Sequence, residues 1–149
     1  MPKFKVILLV FLVISALCFI AYSNSLRNPF IWDDVGLIVR NPFIQDWRNG
    51  IKAFSSDLYA GTITNSNFYR PIQTLSFIQD YYFWQLNPIG YHITNILLQI
   101  LVSFLVFLFA YNITARLSIS FLSASFFCIN PLNTEAVTYI SGRAEMLMG

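Results

Sequence analysis

Charge is scarce in this chain: Asp, Glu, Lys and Arg make up 11% of its 149 residues, and the formal net charge is +2. So small a charge, with no cluster of Lys or Arg, excludes a protein that follows a nucleic-acid backbone. The chain has one histidine and two cysteines, and none has metal-ligand spacing. Cys18 and Cys128 both fall inside apolar stretches, so no disulfide framework is expected. What the chain has in abundance is apolar surface, with 56% hydrophobic and 17% aromatic residues. That composition departs from soluble domains towards membrane proteins.

The apolar residues fall in three runs. Residues 6–22 follow Lys3 and Lys5 and, at about 1.5 Å per residue, span most of a hydrocarbon core roughly 30 Å thick. A cleaved signal peptide is the rival reading of this first run, with Ala21-Tyr22-Ser23 as a passable cleavage site. Residues 91–111 form the second span. His92, Asn95, Gln99 and Ser103 share one face of it, and polar groups in a membrane helix face protein rather than lipid. The third run, residues 117–129, is short and rich in small residues that let helices approach closely. It reads as a membrane helix, a re-entrant segment, or one that continues past Pro131.

The basic residues set an orientation. Lys3, Lys5 and Arg116 lie on one side of these spans, which the positive-inside rule makes cytoplasmic. Residues 23–90 then face the periplasm of a bacterium, or the lumen of the endoplasmic reticulum in a eukaryote. This loop is expected to be structured. Ile44, Trp47, Ile51 and Phe54 are near helical spacing over 46–54. Pro71 suits the first turn of an aromatic helix reaching about Leu86, placed in the membrane interface. The tail, residues 130–149, reads as one amphipathic surface helix. It has Asn130 as N-cap, Glu135 at the centre of the polar face, and Arg143 and Glu145 at its edges. The fold class is therefore all-α: a polytopic membrane protein with about three membrane helices and a helical first loop. Three spans make a poor closed bundle, so the chain is expected to be the N-terminal part of something larger.

Within the loop, Asp33 and Asp34 lie between Trp32 and Val35. Adjacent carboxylates in apolar surroundings repel each other and lose solvation, so their titrations are expected to couple. Such a pair suits a group that accepts a proton, holds a cation or orients a hydroxyl. The plainer alternative is a helix cap, or pairing with Arg27 or Arg40.

Several segments carry a resemblance in order and with consistent spacing: Tyr22-Ser23-Asn24-Ser25-Leu26, Phe30-Ile31-Trp32-Asp33-Asp34, Phe68-Tyr69-Arg70-Pro71, Asn87 to Asn95, and Asn130 to Glu145. Together they resemble the transmembrane and tetratricopeptide-repeat-containing O-mannosyltransferases and their bacterial relatives, of the GT-C glycosyltransferase fold. The resemblance implies transfer of a sugar, typically mannose, from a polyprenyl-phosphate carrier to an acceptor hydroxyl, on protein or elsewhere, at the outer membrane face, with inversion. It also implies a catalytic role for the acidic motif, with Asp33 as base and Asp34 as its orienting or electrostatic partner. Arg70 and Arg143 are candidates for the lipid phosphate, since guanidinium matches phosphate in two-point contact. His92, Glu135 and Glu145 complete the candidate substrate-binding set.

Each of these has a structural alternative. Arg70 could be an interfacial snorkelling residue, His92 a satisfied helix-end polar group, and Glu135, Arg143 and Glu145 a solvated helix face. The chain departs from the family at Asn130 and Gln99, where histidines are usual or frequent, so proton transfer is not assigned there. No cofactor is expected, although paired carboxylates could hold Mg²⁺ or Mn²⁺. A non-catalytic membrane scaffold, and less readily a transporter fragment, remain as alternative functions. The fragment alone is expected to be inactive.

Overall fold

The computed structural model describes residues 4–62 and 67–148, so Lys3, used above for orientation, lies outside the described residues. No strand occurs among them. Helix α1 is Phe4–Tyr22, α2 is Pro71–Trp84, α3 is Pro88–Thr114, α4 is Leu117–Cys128, α5 is Thr134–Thr138 and α6 is Arg143–Met148.

Among the described residues, two helices are long and apolar enough to cross a membrane: α1 with the turn after it, Phe4–Arg27, and α3, Pro88–Thr114. α3 begins three residues before the expected start of the second span. The reason is its cap: the Asn87 side chain accepts from the Ile89 N–H at 3.1 Å, and Pro88 takes the first helical position. α4 is a shorter apolar helix of 12 residues, about 18 Å long and well short of a hydrocarbon core.

Ala115 in the left-handed conformation (φ 52°) ends α3 and turns the chain directly into α4, so the two form a tight hairpin. α1 packs against both. Its buried stripe of Val10, Ile14, Cys18 and Tyr22 recurs every fourth residue and meets Ile96, Ile100, Phe107, Ala124 and Cys128. The Tyr22 hydroxyl donates to the Cys128 carbonyl at 2.9 Å. The cysteines, not expected to pair, face each other between α1 and α4 as a linked pair with Cα atoms 5.9 Å apart. Their apolar surroundings are the buried seam where these two helices cross.

α4 stops level with Gln99, whose amide donates to the Cys128 carbonyl at 3.4 Å. From Gln99 outwards α3 is covered by residues 131–148 instead. The polar stripe turns inward as expected: His92, Asn95, Gln99 and Ser103 are all buried. Asn95 donates to the Val137 and Tyr139 carbonyls, both at 3.1 Å. The stripe thus satisfies irregular backbone that would otherwise be costly at this depth.

This corrects the reading of residues 130–149 as one amphipathic surface helix. Asn130 does cap, accepting from the Leu132 N–H at 3.0 Å. The chain then breaks into a short 3₁₀ turn, α5, an extended Tyr139, a second turn at Ile140–Gly142, and α6. The break has a cause. Asn95 takes carbonyls and Asp34 takes the Ser141 N–H, groups that a continuous helix would pair internally. Gly142 fits the turn because a Cβ there would lie 2.6 Å from the Glu135 carbonyl oxygen.

The loop packs as a second core over the bundle end, built from Leu37, Ile38, Ile44, Leu58, Phe77, Ile78, Tyr91 and Ile140. The helix expected at 46–54 is two 3₁₀ turns, Trp47–Gly50 and Lys52–Ser55, the first capped by Asp46. In α2 the aromatic residues divide: Tyr82, Phe83 and Trp84 are exposed, whereas Phe77 is buried in the core.

Candidate functional site

The acidic motif is shaped by a tight turn. Asp34 N–H donates to the Ile31 carbonyl at 2.9 Å, and Ile31 N–H donates back to the Asp34 carboxylate at 3.2 Å. Between them Trp32 adopts φ 46°, an uncommon conformation for a bulky residue that costs on the order of 1–3 kcal/mol. Its exposed indole meets the Tyr139 ring edge-on at 5.9 Å.

This geometry sends the two carboxylates to different places. Asp34 is 1% exposed and accepts from both the N–H (2.9 Å) and the hydroxyl of Ser141. Burial pushes its carboxyl above the usual range, against the opposing effect of these hydrogen bonds and of Arg143. Asp33 is exposed, and its N–H donates to the Tyr139 hydroxyl oxygen at 3.1 Å. For Asp34 the leading cause of the shift is desolvation.

Asp33 lines a cavity of about 310 Å³ together with Arg70, Gln73, Glu135, Tyr139 and Glu145, among others. Four residues singled out from the sequence, Asp33, Arg70, Glu135 and Glu145, thus come together from the loop, the entry to α2, α5 and α6. Arg70 lies with its guanidinium 5.6 Å from the Phe68 ring centre. The Tyr59 hydroxyl sits close enough to Asp33 and Arg70 to feel both charges; burial, then Asp33, raise its pKa while Arg70 opposes them. Tyr139 is likewise held protonated, chiefly by burial.

Arg143 and His92 do not line this cavity. Arg143, expected at a helix edge with its charge available to phosphate, is 0% exposed. It forms a salt bridge with Asp80 at 2.6 Å, donates to the Ser76 hydroxyl and the Tyr91 carbonyl, each at 3.1 Å, and stacks on Phe77 with its guanidinium 4.8 Å from the ring centre. Thr94 donates to the other Asp80 oxygen at 2.6 Å. A guanidinium so enclosed is held by protein through both terminal nitrogens, with Nε left unpartnered among the described residues, and is a strut between α2, α3 and α6. His92 Nε2 donates to the Asn28 carbonyl at 3.1 Å, tying the loop entrance to α3. Its Nδ1 is buried with no hydrogen-bond partner among the described residues.

Asp80, Gln73, Tyr59, Tyr139 and Ser141 were not singled out from the sequence. Asp80 carried a usable signal, since it is the one acidic residue of α2 and a charge within an aromatic helix needs a partner. The others carried none, because their roles arise only when residues 139–142 are laid against the loop.

No family profile matches the chain, and no solved structure matches it. Its relatives among curated proteins are protein O-mannosyl-transferases, as the resemblance implied. One from Caenorhabditis elegans is 34% identical over 147 residues, covering 92% of this chain and 21% of the relative. Protein O-mannosyl-transferase TMTC1 of Mus musculus is 35% identical over 142 residues, covering 89% of this chain and 14% of the relative. Protein O-mannosyl-transferase TMTC3 of Mus musculus is 31% identical over 148 residues, covering 97% of this chain and 16% of the relative. The chain thus spans about a fifth or less of the length of these relatives.

Proposed function

We propose, from this kinship with the protein O-mannosyl-transferases, that the chain forms part of a membrane glycosyltransferase of the GT-C type. It transfers mannose from a polyprenyl-phosphate carrier to a protein hydroxyl on the extracytoplasmic side. The observation that carries the reading is the cavity in which an accessible carboxylate, Asp33, and a cation, Arg70, face common space.

The chemistry follows from these two groups. The Asp33 carboxylate takes the proton of the acceptor hydroxyl as its oxygen attacks the anomeric carbon. The bond from that carbon to the phosphate oxygen breaks on the opposite face, its electron pair leaves with the polyprenyl phosphate, and the configuration inverts. Arg70 neutralises the phosphate as charge develops there. Asp34 does not touch the reactants; tied to Ser141, it fixes the turn that presents Asp33. Buried Arg143 is excluded as the phosphate ligand in this scheme. The reaction uses no metal or cofactor.

Arg70→Gln in the full-length protein tests the assignment. The KM for polyprenyl-phosphate mannose is expected to rise about tenfold or more, the loss expected of a charge-assisted contact. A non-catalytic scaffold would instead show no transfer in the wild type, and an unchanged KM would remove Arg70 from the phosphate site.

A further inference from the structure

Trp32, the residue before Asp33, takes no part in the scheme above and is unfavourable where it stands. Its φ of 46° lies in the left-handed region, which glycine or asparagine enters more readily than a bulky side chain does. The indole does not recover that strain by burial, being 79% exposed. Its ring contact within the described chain is the edge-on approach to Tyr139, which offsets only part of the strain at so open a place. A strained backbone that holds a large apolar side chain in the open is a mark of function.

The turn sets that side chain at the edge of the cavity. Trp32 is not among the lining residues, but Tyr139 is, and the Tyr139 hydroxyl accepts from the Asp33 N–H at 3.1 Å. The segment that carries Tyr139 is itself fastened. Asn95 donates to the Tyr139 carbonyl at 3.1 Å, and Gln73 donates to the Ser141 carbonyl at 2.9 Å. The indole therefore stands on a fixed rim, next to the base. Asp33 and Glu135 are exposed beside it, surroundings that suit a polypeptide better than hydrocarbon. Of the two reactants, the acceptor is the one whose hydroxyl must reach Asp33, whereas the phosphate of the donor goes to Arg70.

We propose that Trp32 is an acceptor-binding residue. Its indole packs against the residue flanking the Ser or Thr that receives the sugar, in an extended polypeptide lying across the mouth of the cavity. This rests on the transferase reading and deepens it. A rigid aromatic ring offers a large contact area with little side-chain freedom to lose, which is why Trp dominates the energy of many polypeptide contacts. Trp32 touches neither the sugar nor the phosphate.

The test uses full-length protein, polyprenyl-phosphate mannose, and extracytoplasmic proteins stripped of mannose with α-mannosidase as the acceptor mixture. Trp32→Asn removes the indole but leaves a residue that tolerates the left-handed turn; Trp32→Phe keeps a ring. In Trp32→Asn the apparent KM for the acceptor mixture is expected to rise about tenfold or more, while the KM for the donor stays near its wild-type value. Trp32→Phe should recover much of the loss. The melting temperature of Trp32→Asn should equal or exceed that of wild type, because the strain is relieved. A purely structural role would not combine undiminished stability with weaker acceptor use. An unchanged acceptor KM would overturn the proposal, as would a rise in the donor KM instead, which would put the indole on the sugar. A lower melting temperature, or failure to accumulate in membranes, would also overturn it, by showing that the indole packs against another part of the full-length protein. If Asp33→Asn loses transfer and Trp32→Asn leaves the acceptor KM unchanged, only the acceptor site falls. If the wild type transfers nothing to the mixture, the transferase reading falls with it.

Discussion

Asp80 and Arg143 show how strongly a single buried charge depends on its partner. Burial holds the Asp80 carboxyl above its usual range even with Arg143 beside it, so the pair exists because both members are enclosed together. Removing one leaves the other charged and unpaired, at about 3–5 kcal/mol. Asp80→Ala is therefore expected to lower the melting temperature of the purified protein sharply, and Asp80→Leu combined with Arg143→Met to recover much of the loss. An Asp80→Ala protein as stable as wild type would show that the pair is not a strut. Asp34 gives a second, pH-dependent expectation. Its folded pKa is raised, so its contribution to stability is full below the unfolded value of about 3.9 and is lost as pH rises through the folded pKa. Asn mimics the protonated form. The melting temperature of Asp34→Asn minus that of wild type should therefore become more positive between about pH 4 and pH 7. A difference that stays constant or falls would contradict the burial assigned to this carboxylate.

The helices with strong apolar or capping signals were legible before any coordinates: α1 from its apolar run, α2 from Pro71, and α3 from its length and polar stripe. The stripe even announced that α3 has protein neighbours. Its partners could not be read, because Asn95 bonds to backbone carbonyls, which every residue carries. For the same reason residues 130–149 looked like one helix. Leu132, Val137, Ile140 and Ala144 have helical spacing, but Asn95 and Asp34 capture the backbone between them and break it. Of the site, Asp33, Arg70, Glu135 and Glu145 were readable as candidate charges, each with a structural alternative that only their convergence on one cavity weighs against. Arg143 was misread because its partner Asp80 lies 63 residues away. Asn95→Ala tests the element that holds the site together. It should raise hydrogen exchange at amides from 134 to 142 and cost about 1–3 kcal/mol. Unchanged exchange there would mean that the segment is held by Asp34 and Gln73 without α3.

At the scale of the whole molecule, two membrane-length helices and one short one carry a folded cap in which the cavity sits. We propose that this cap lies outside the cytoplasm, on the strength of Lys5 and Arg116 at the opposite end. With Cys18 and Cys128 replaced by Ser, exposed Lys52→Cys should react with a membrane-impermeant maleimide in sealed cells or lumen-accessible vesicles. Labelling only after the cytoplasmic side is opened would invert the topology. The account's central claim, that the Asp33 cavity is where transfer occurs, is tested most directly by turnover of full-length Asp33→Asn at wild-type membrane levels. Asn keeps the size of the side chain and leaves the backbone bond to Tyr139 in place, but it cannot take a proton at neutral pH. The account predicts that turnover falls by roughly 10² to 10⁴ while the KM for the polyprenyl-phosphate donor stays near its wild-type value; near-normal turnover would contradict it.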